Sequence, residues 1–178
     1  MAVEEHKGFA PPPVTLRVAV VTASDSRTPE NNEGGRLLAT LAAAAGFAVA
    51  HEIILRENPA QIRDHLRLLI DGSKAGKLDG VLITGGTGVA GRDSTIEALA
   101  PLLDKMLPGF GELFRMLSFA EIGAAAMLSR AMAGTAGAVA LFAMPGSPAG
   151  VRLAMERLIV PELPHLVGQL RREPHHHG

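Results

Sequence analysis

Cysteine is absent from the 178 residues, which excludes disulfides, thiolate nucleophiles and Cys-ligated zinc or iron–sulfur sites. No basic stripe is present: 17 Lys and Arg are scattered among 18 Asp and Glu for a net charge of -1, so the phosphate-backbone footprint of a nucleic-acid binder is missing. Long apolar runs are lacking too. The most apolar windows, residues 37–45 and 138–144, fall short of the roughly 20 residues that a membrane span needs. The first residues, with Glu4, Glu5 and Pro11-Pro12-Pro13, lack a basic segment followed by an apolar one, so we expect no signal peptide and a cytoplasmic protein.

What is there suits one domain of ordinary globular composition, 47% hydrophobic and 20% charged, with a single sizeable core. Residues 1–14 mix charge, glycine and proline and read as a flexible arm, residues 15–170 as the domain, and residues 171–178 as a flexible tail. A β-branched run at 16–22 predicts a buried strand. Residues 34–45 are Leu- and Ala-rich at helical spacing and stop at Gly46, a good helix-ending glycine. A second strand is expected over 47–55, then a helix opened by Asn58-Pro59 with Ile62, Leu66, Leu69 and Ile70 on one face. Residues 80–84 predict the third strand and 94–105 a helix. One or two helices fill 108–133, a fourth strand covers 138–144, and a helical region broken near Pro161 and Pro164 runs to about 170. Strands alternating with helices imply an α/β fold with a largely parallel sheet covered on both faces, whose ligands collect at the carboxyl ends of the strands.

Three segments reach that edge with loop chemistry: Thr22-Ala23-Ser24-Asp25, Gly85-Gly86-Thr87-Gly88 and Met144-Pro145-Gly146-Ser147-Pro148. The glycines between strand and helix let backbone N–H groups approach an anion, and phosphate is the expected guest. Two known phosphate motifs fail here. Gly86 and Gly91 have P-loop spacing, but Arg92-Asp93 stands where Lys-Ser/Thr is needed. Gly86, Gly88 and Gly91 also match the dinucleotide fingerprint, yet the next strand, with its ribose-binding acid, does not follow soon enough. Asp93 beside a phosphate loop is an electrostatic cost unless a cation offsets it, which marks it as a functional carboxylate. Ser94 and Glu97 have the spacing of a capping box.

These loops, together with Gly109-Phe110-Gly111-Glu112-Leu113-Phe114-Arg115-Met116-Leu117-Ser118 and Ser129-Arg130, resemble in order and spacing the MoaB/MogA family of molybdenum cofactor biosynthesis proteins, over about residues 15–170. The stretch 114–123 resembles the MoaB branch more than the MogA branch. The resemblance implies a three-layer α/β/α domain with a mixed sheet, assembled as a homo-oligomer, trimer or hexamer. It also implies binding of molybdopterin and ATP, with transfer of AMP to the molybdopterin phosphate in the presence of Mg2+ and release of pyrophosphate. On that basis Gly85, Gly86, Thr87, Gly88, Ser24 and Asp25 are expected to bind nucleotide, and Arg115, Ser118, Gly146 and Ser147 to bind the pterin substrate. Asp93 and Glu57 are then the catalytic and magnesium carboxylates. The chain departs from the MogA pattern at Glu57, one methylene longer than the expected acid, and at Ile96, where many relatives carry proline. A non-catalytic carrier or assembly protein of the same family is therefore the alternative function.

Other residues read as structural. His51, His65 and His165 are isolated, and His175-His176-His177 reads as a tail without function. Met106, Met116, Met127, Met132 and Met144 read as core fillers. Ala124-Ala125-Ala126 permits close approach of another helix.

Overall fold

The computed structural model describes residues 15–73 and 78–172; the readings of residues 1–14 and of the three terminal histidines lie outside the described residues. Six strands form one mixed sheet, β1 (Arg17–Ala23), β2 (Ala48–Leu55), β3 (Gly80–Thr84), β4 (Lys105–Met106), β5 (Met132–Ala136) and β6 (Val139–Met144), in the order β2-β1-β3-β6-β5-β4. The first four in that order run parallel, and at one edge β5 pairs antiparallel to β6 and β4 antiparallel to β5.

Side chains alternate across a strand, so each central strand feeds two cores. Val18, Val20, Leu82, Phe142 and Met144 pack on one face beneath α1 (Glu33–Ala44) and the helices of residues 108–122 and 148–170. Val21, Val81, Ile83, Leu141 and Ala143 pack on the other beneath α2 (Pro59–Ser73) and α3 (Thr95–Leu99). The expected three layers are therefore present. Helix α2 opens as predicted, with Asn58 Oδ1 accepting from the Gln61 amide at 3.0 Å, and Ile62 and Leu66 fully buried. Gly46 ends α1 at φ 85, a conformation that costs glycine little.

Several boundaries differ from expectation. The helix predicted over 94–105 is one short α-helix, α3, followed by a 3-10 turn (Ala100–Leu102). Pro101 supplies no N–H to continue the α-helical ladder, and Leu103 turns extended, leading into β4. Residues 108–133 hold one helix, α4 (Pro108–Ile122), ended at Gly123 with φ 65, then a 3-10 turn (Gly123–Leu128), and they run into β5 rather than remaining helical. β5 pairs back onto β6 through a two-residue turn in which Gly137 has φ 57. The last region is not broken at its prolines: α5 (Pro148–Ala154) passes through a π-helical turn (Met155–Ile159) into α6 (Val160–Leu170). The wider turn lies just before the two residues that cannot donate, Pro161 and Pro164, and the chain remains helical through both. Arg171, expected in the tail, donates to Asp79 Oδ1, and Asp79 Oδ2 accepts from the Arg17 amide at 2.8 Å.

Three of the five methionines read as core fillers are exposed. Met144 is buried and Met132 partly so, but Met106 of β4, Met116 and Met127 reach solvent, and Met116 and Met127 with Leu113, Phe119, Ile122 and Leu128 give α4 and the turn after it an apolar outer face.

Candidate active site

Parallel pairing brings Ala23 level with Leu55, Thr22 with Thr84, and Thr84 with Met144. The loops leaving β1, β2, β3 and β6 therefore emerge at one edge of the sheet and enclose a cleft of about 630 Å³. Of the residues singled out in the sequence, Ser24, Glu57, Gly85, Gly86, Thr87, Gly88, Asp93, Gly146 and Ser147 line it. Asp25 faces the adjoining depression of about 680 Å³, which Ser24 also borders.

The cleft floor is backbone. Gly85 has φ 94 and Gly86 φ 62. A Cβ on Gly85 would lie 2.3 Å from the Ala23 carbonyl oxygen, and one on Gly86 2.4 Å from Thr95 Oγ1, so both conformation and space require glycine. Thr95 fastens the bend: its hydroxyl donates to the Gly85 carbonyl at 2.8 Å and its amide to the Gly86 carbonyl at 3.1 Å. Beside the bend, the Gly85 amide donates to the Met144 carbonyl at 3.0 Å, and Thr84 Oγ1 donates to the Pro145 carbonyl at 2.9 Å. The β3 and β6 loops thus form one wall. Ser147 both lines the cleft and caps α5, accepting from the Gly150 amide at 3.2 Å.

A third element was not singled out in the sequence. The first turn of α1, capped by Asn32, ends in the cleft with Gly34 and Gly35 at its surface. A Cβ on Gly34 would sit 2.5 Å from the Gly146 carbonyl oxygen, and one on Gly35 2.4 Å from Thr22 Oγ1. The helix start consequently packs directly on the other two loops and directs its positive end at the cleft. Adjacent glycines in a first helical turn, otherwise poor helix formers, are the signal that could have found it.

Acids gather at the cleft mouth. Glu57 Oε2 is buried without a hydrogen-bond partner, and burial first, then the charge of Asp93, pushes the Glu57 carboxyl above the ordinary carboxylate range, while Arg92 draws it down and Asp25 raises it further. Asp25 Oδ1 accepts from the Glu57 amide at 3.1 Å. Asp93 Oδ2 accepts from the Ala90 amide at 2.8 Å and lies 2.7 Å from where a Cβ on Gly88 would be, so Asp93 stands on the same side of the bend as the glycine loop. No group of three or more His, Cys, Asp or Glu able to hold a metal is formed among the described residues. A pair of carboxylates, one with a spare buried oxygen, still fits Mg2+, which takes one or two protein carboxylates and fills its remaining positions with water and substrate phosphates.

Arg115 and Ser118 do not line the cleft. Ser118 is buried, and the Arg115 guanidinium donates to the Ser129 and Ala131 carbonyls at 3.3 Å each, behind the wall that Ser129 presents. The capping box is not formed: the Ser94 side chain makes no cap hydrogen bond, and Glu97 instead accepts from Arg130.

The sequence matches the model of a probable molybdopterin binding domain over residues 19–165. Molybdenum cofactor biosynthesis protein B of Bacillus subtilis (strain 168) is 47% identical over 97% of this chain and 99% of that protein. A crystal structure of molybdenum cofactor biosynthesis protein B superposes with a TM-score of 0.84 at 46% identity, covering 92% of this chain and all of that one (100%). The tungsten cofactor synthesizing protein MoaB from Pyrococcus furiosus gives 0.76 at 30% identity over 90% of this chain and 100% of its own. With the fold, the loop order and the sequence in agreement over nearly the whole chain, this protein belongs to the MoaB/MogA family of molybdenum cofactor biosynthesis proteins.

Proposed function

We propose that this protein binds molybdopterin and ATP in the cleft and transfers AMP to the molybdopterin phosphate. A phosphate oxygen of molybdopterin attacks the α-phosphorus of ATP, the α–β anhydride bond breaks, and pyrophosphate leaves. The nucleophile belongs to the substrate, so no activated side chain is required, and positioning with charge neutralisation carries the rate. The amides of Gly86–Gly88, the Thr87 hydroxyl and the start of α1 hold nucleotide phosphates, while Gly85, whose amide is taken by the Met144 carbonyl, shapes the bend, with Ser24 and Asp25 at the nucleotide side. Gly146 and Ser147 close the pterin side. Arg115, placed in the substrate motif by resemblance, contributes from behind the cleft by fixing the backbone at Ser129 and Ala131. Asp93 and Glu57 would hold Mg2+, which when bound offsets negative charge on the phosphates.

The observation that carries this reading is the unpartnered, buried Glu57 Oε2, with Asp93 beside it, at the mouth of a cleft floored by glycine amides. Acids set against a phosphate loop repel the guest unless a cation joins them. Incubation of the purified protein with molybdopterin, ATP and Mg2+ tests it: adenylylated pterin and pyrophosphate should form in equal amounts.

One observation favours a second reading, binding without turnover. An Asp93 oxygen is already engaged by the Ala90 amide, which limits its reach toward a cation. Retention of molybdopterin or nucleotide without product, and appearance of product in Glu57→Asp, would identify a carrier whose longer acid misplaces the metal.

The apolar outer face of α4, with Met116, Phe119 and Ile122, and of the turn after it, with Met127 and Leu128, supports assembly with further copies of this chain.

A further inference from the structure

Arg130 is the residue of the Ser129-Arg130 motif for which the cleft gives no role, since it does not line it. It lies on the other side of the 87–93 loop, in a groove of about 520 Å³ shared with Ser94 and Glu97. Five of its hydrogen bonds go to that loop and to the helix that follows. The Arg130 amide donates to the Thr87 carbonyl at 3.0 Å. Nε donates to the Gly88 carbonyl at 2.8 Å, and Nη2 to the Asp93 carbonyl at 3.3 Å. Nη1 and Nη2 also donate to the two carboxylate oxygens of Glu97.

These bonds fix directions. In a trans peptide the carbonyl and the next N–H point opposite ways. Holding the carbonyls of Thr87 and Gly88 toward Arg130 turns the N–H groups of Gly88 and Val89 away from it, and the grip on the Asp93 carbonyl fixes the backbone from which that carboxylate projects. Glu97 orients the guanidinium from the first turn of α3 and compensates its charge, and the contact keeps the Glu97 carboxyl below the ordinary range. A planar fork of five donors serves these acceptors together; a lysine ammonium at one point in space cannot.

We propose that Arg130, oriented by Glu97, is a positioning residue of the nucleotide site: it sets the amides of the 87–89 bend and the Asp93 carboxylate in the arrangement that receives the phosphates. This rests on the reading that the glycine loop binds nucleotide. Arg130 touches no substrate itself and acts through the loop.

The test uses the full chain, α,β-methylene-ATP with Mg2+ as a probe blocked at the bond that breaks, and amide hydrogen exchange of the free protein. In Arg130→Gln and Arg130→Lys, exchange should quicken in 87–93 and not in the central strands, and the probe should bind about tenfold more weakly, corresponding to about 1.4 kcal/mol. Glu97→Gln, on the exposed side of the pair, should leave the fold intact and weaken the probe about threefold. A purely structural residue would lower the melting temperature without changing affinity at temperatures where the variant is folded. Folded Arg130 variants with unchanged affinity, or with unchanged exchange in 87–93, overturn the inference. If the unsubstituted protein fails to take the probe, the nucleotide reading falls, and exchange in 87–93 still decides whether Arg130 orders the loop.

Discussion

Glu57 is held above the ordinary carboxylate range by its burial and then by the charge of Asp93. A carboxyl raised in the folded state adds stability that is fully present below its unfolded value and is lost as pH rises through the folded value. Ionisation of Glu57 therefore works against the fold. Replacing it with glutamine should raise Tm by only about 1–2 °C, because solvent screens much of the effect, while removing Mg2+-dependent turnover. Thermal unfolding at pH 7 reads the first effect, and a lower Tm in Glu57→Gln would contradict it.

The same shift sets a pH dependence. If Glu57 holds the cation as proposed, it must be ionised to do so, and affinity for Mn2+ or Mg2+ should fall as pH drops through the raised Glu57 value. Calorimetric titrations across that range should give a slope in the unsubstituted protein and a flatter one in Glu57→Gln. Equal slopes would remove Glu57 from the metal site.

Gly85 and Gly88 should respond differently to alanine. Gly85→Ala meets both a positive φ and the Ala23 carbonyl, and should cost at least about 1–3 kcal/mol of stability. Gly88 has no positive φ, and its added methyl would meet only the end of the Asp93 side chain. Gly88→Ala should stay within about 1 kcal/mol of the unsubstituted stability yet displace Asp93 and lower turnover by about a hundredfold. Denaturant unfolding beside product formation separates the two.

Phe119 is 62% exposed and Met127 77% exposed on the apolar outer face. Light scattering should find the protein as a homo-oligomer, and Phe119→Asp should shift it toward monomer because a charge cannot be buried there unpaired. A monomeric unsubstituted protein would contradict this.

Much of the architecture was readable because strands covered on both faces are nearly continuous apolar runs, as at 16–22, 80–84 and 138–144, and because the helices keep their spacing of about 3.6 residues. β5 was not, because Met132-Ala133-Gly134-Thr135-Ala136 is mostly small, of weak β propensity, and becomes a strand through pairing with β6. Gly85–Gly88 and Asp93 could be placed from their position between strand and helix. Gly34 and Gly35 could not, since their role depends on contact with Gly146 and Thr22, more than a hundred residues away in the first case. The methionines of α4 and the following turn look like core residues in sequence, and only the packing shows their face to be uncovered. Arg115 carries the family motif, but whether it faces a ligand or a backbone carbonyl is decided by tertiary structure alone.

The most direct test of the central claim is a titration of isotope-labelled protein with Mg2+ and α,β-methylene-ATP, following backbone amide resonances. The largest shifts should fall on Gly86–Gly88 and on Gly34, with Asp93 and Glu57 responding only when Mg2+ is present. Shifts confined to the depression bordered by Asp25, or no shifts at saturating probe, would contradict the claim that main-chain amides at this strand edge receive the phosphates.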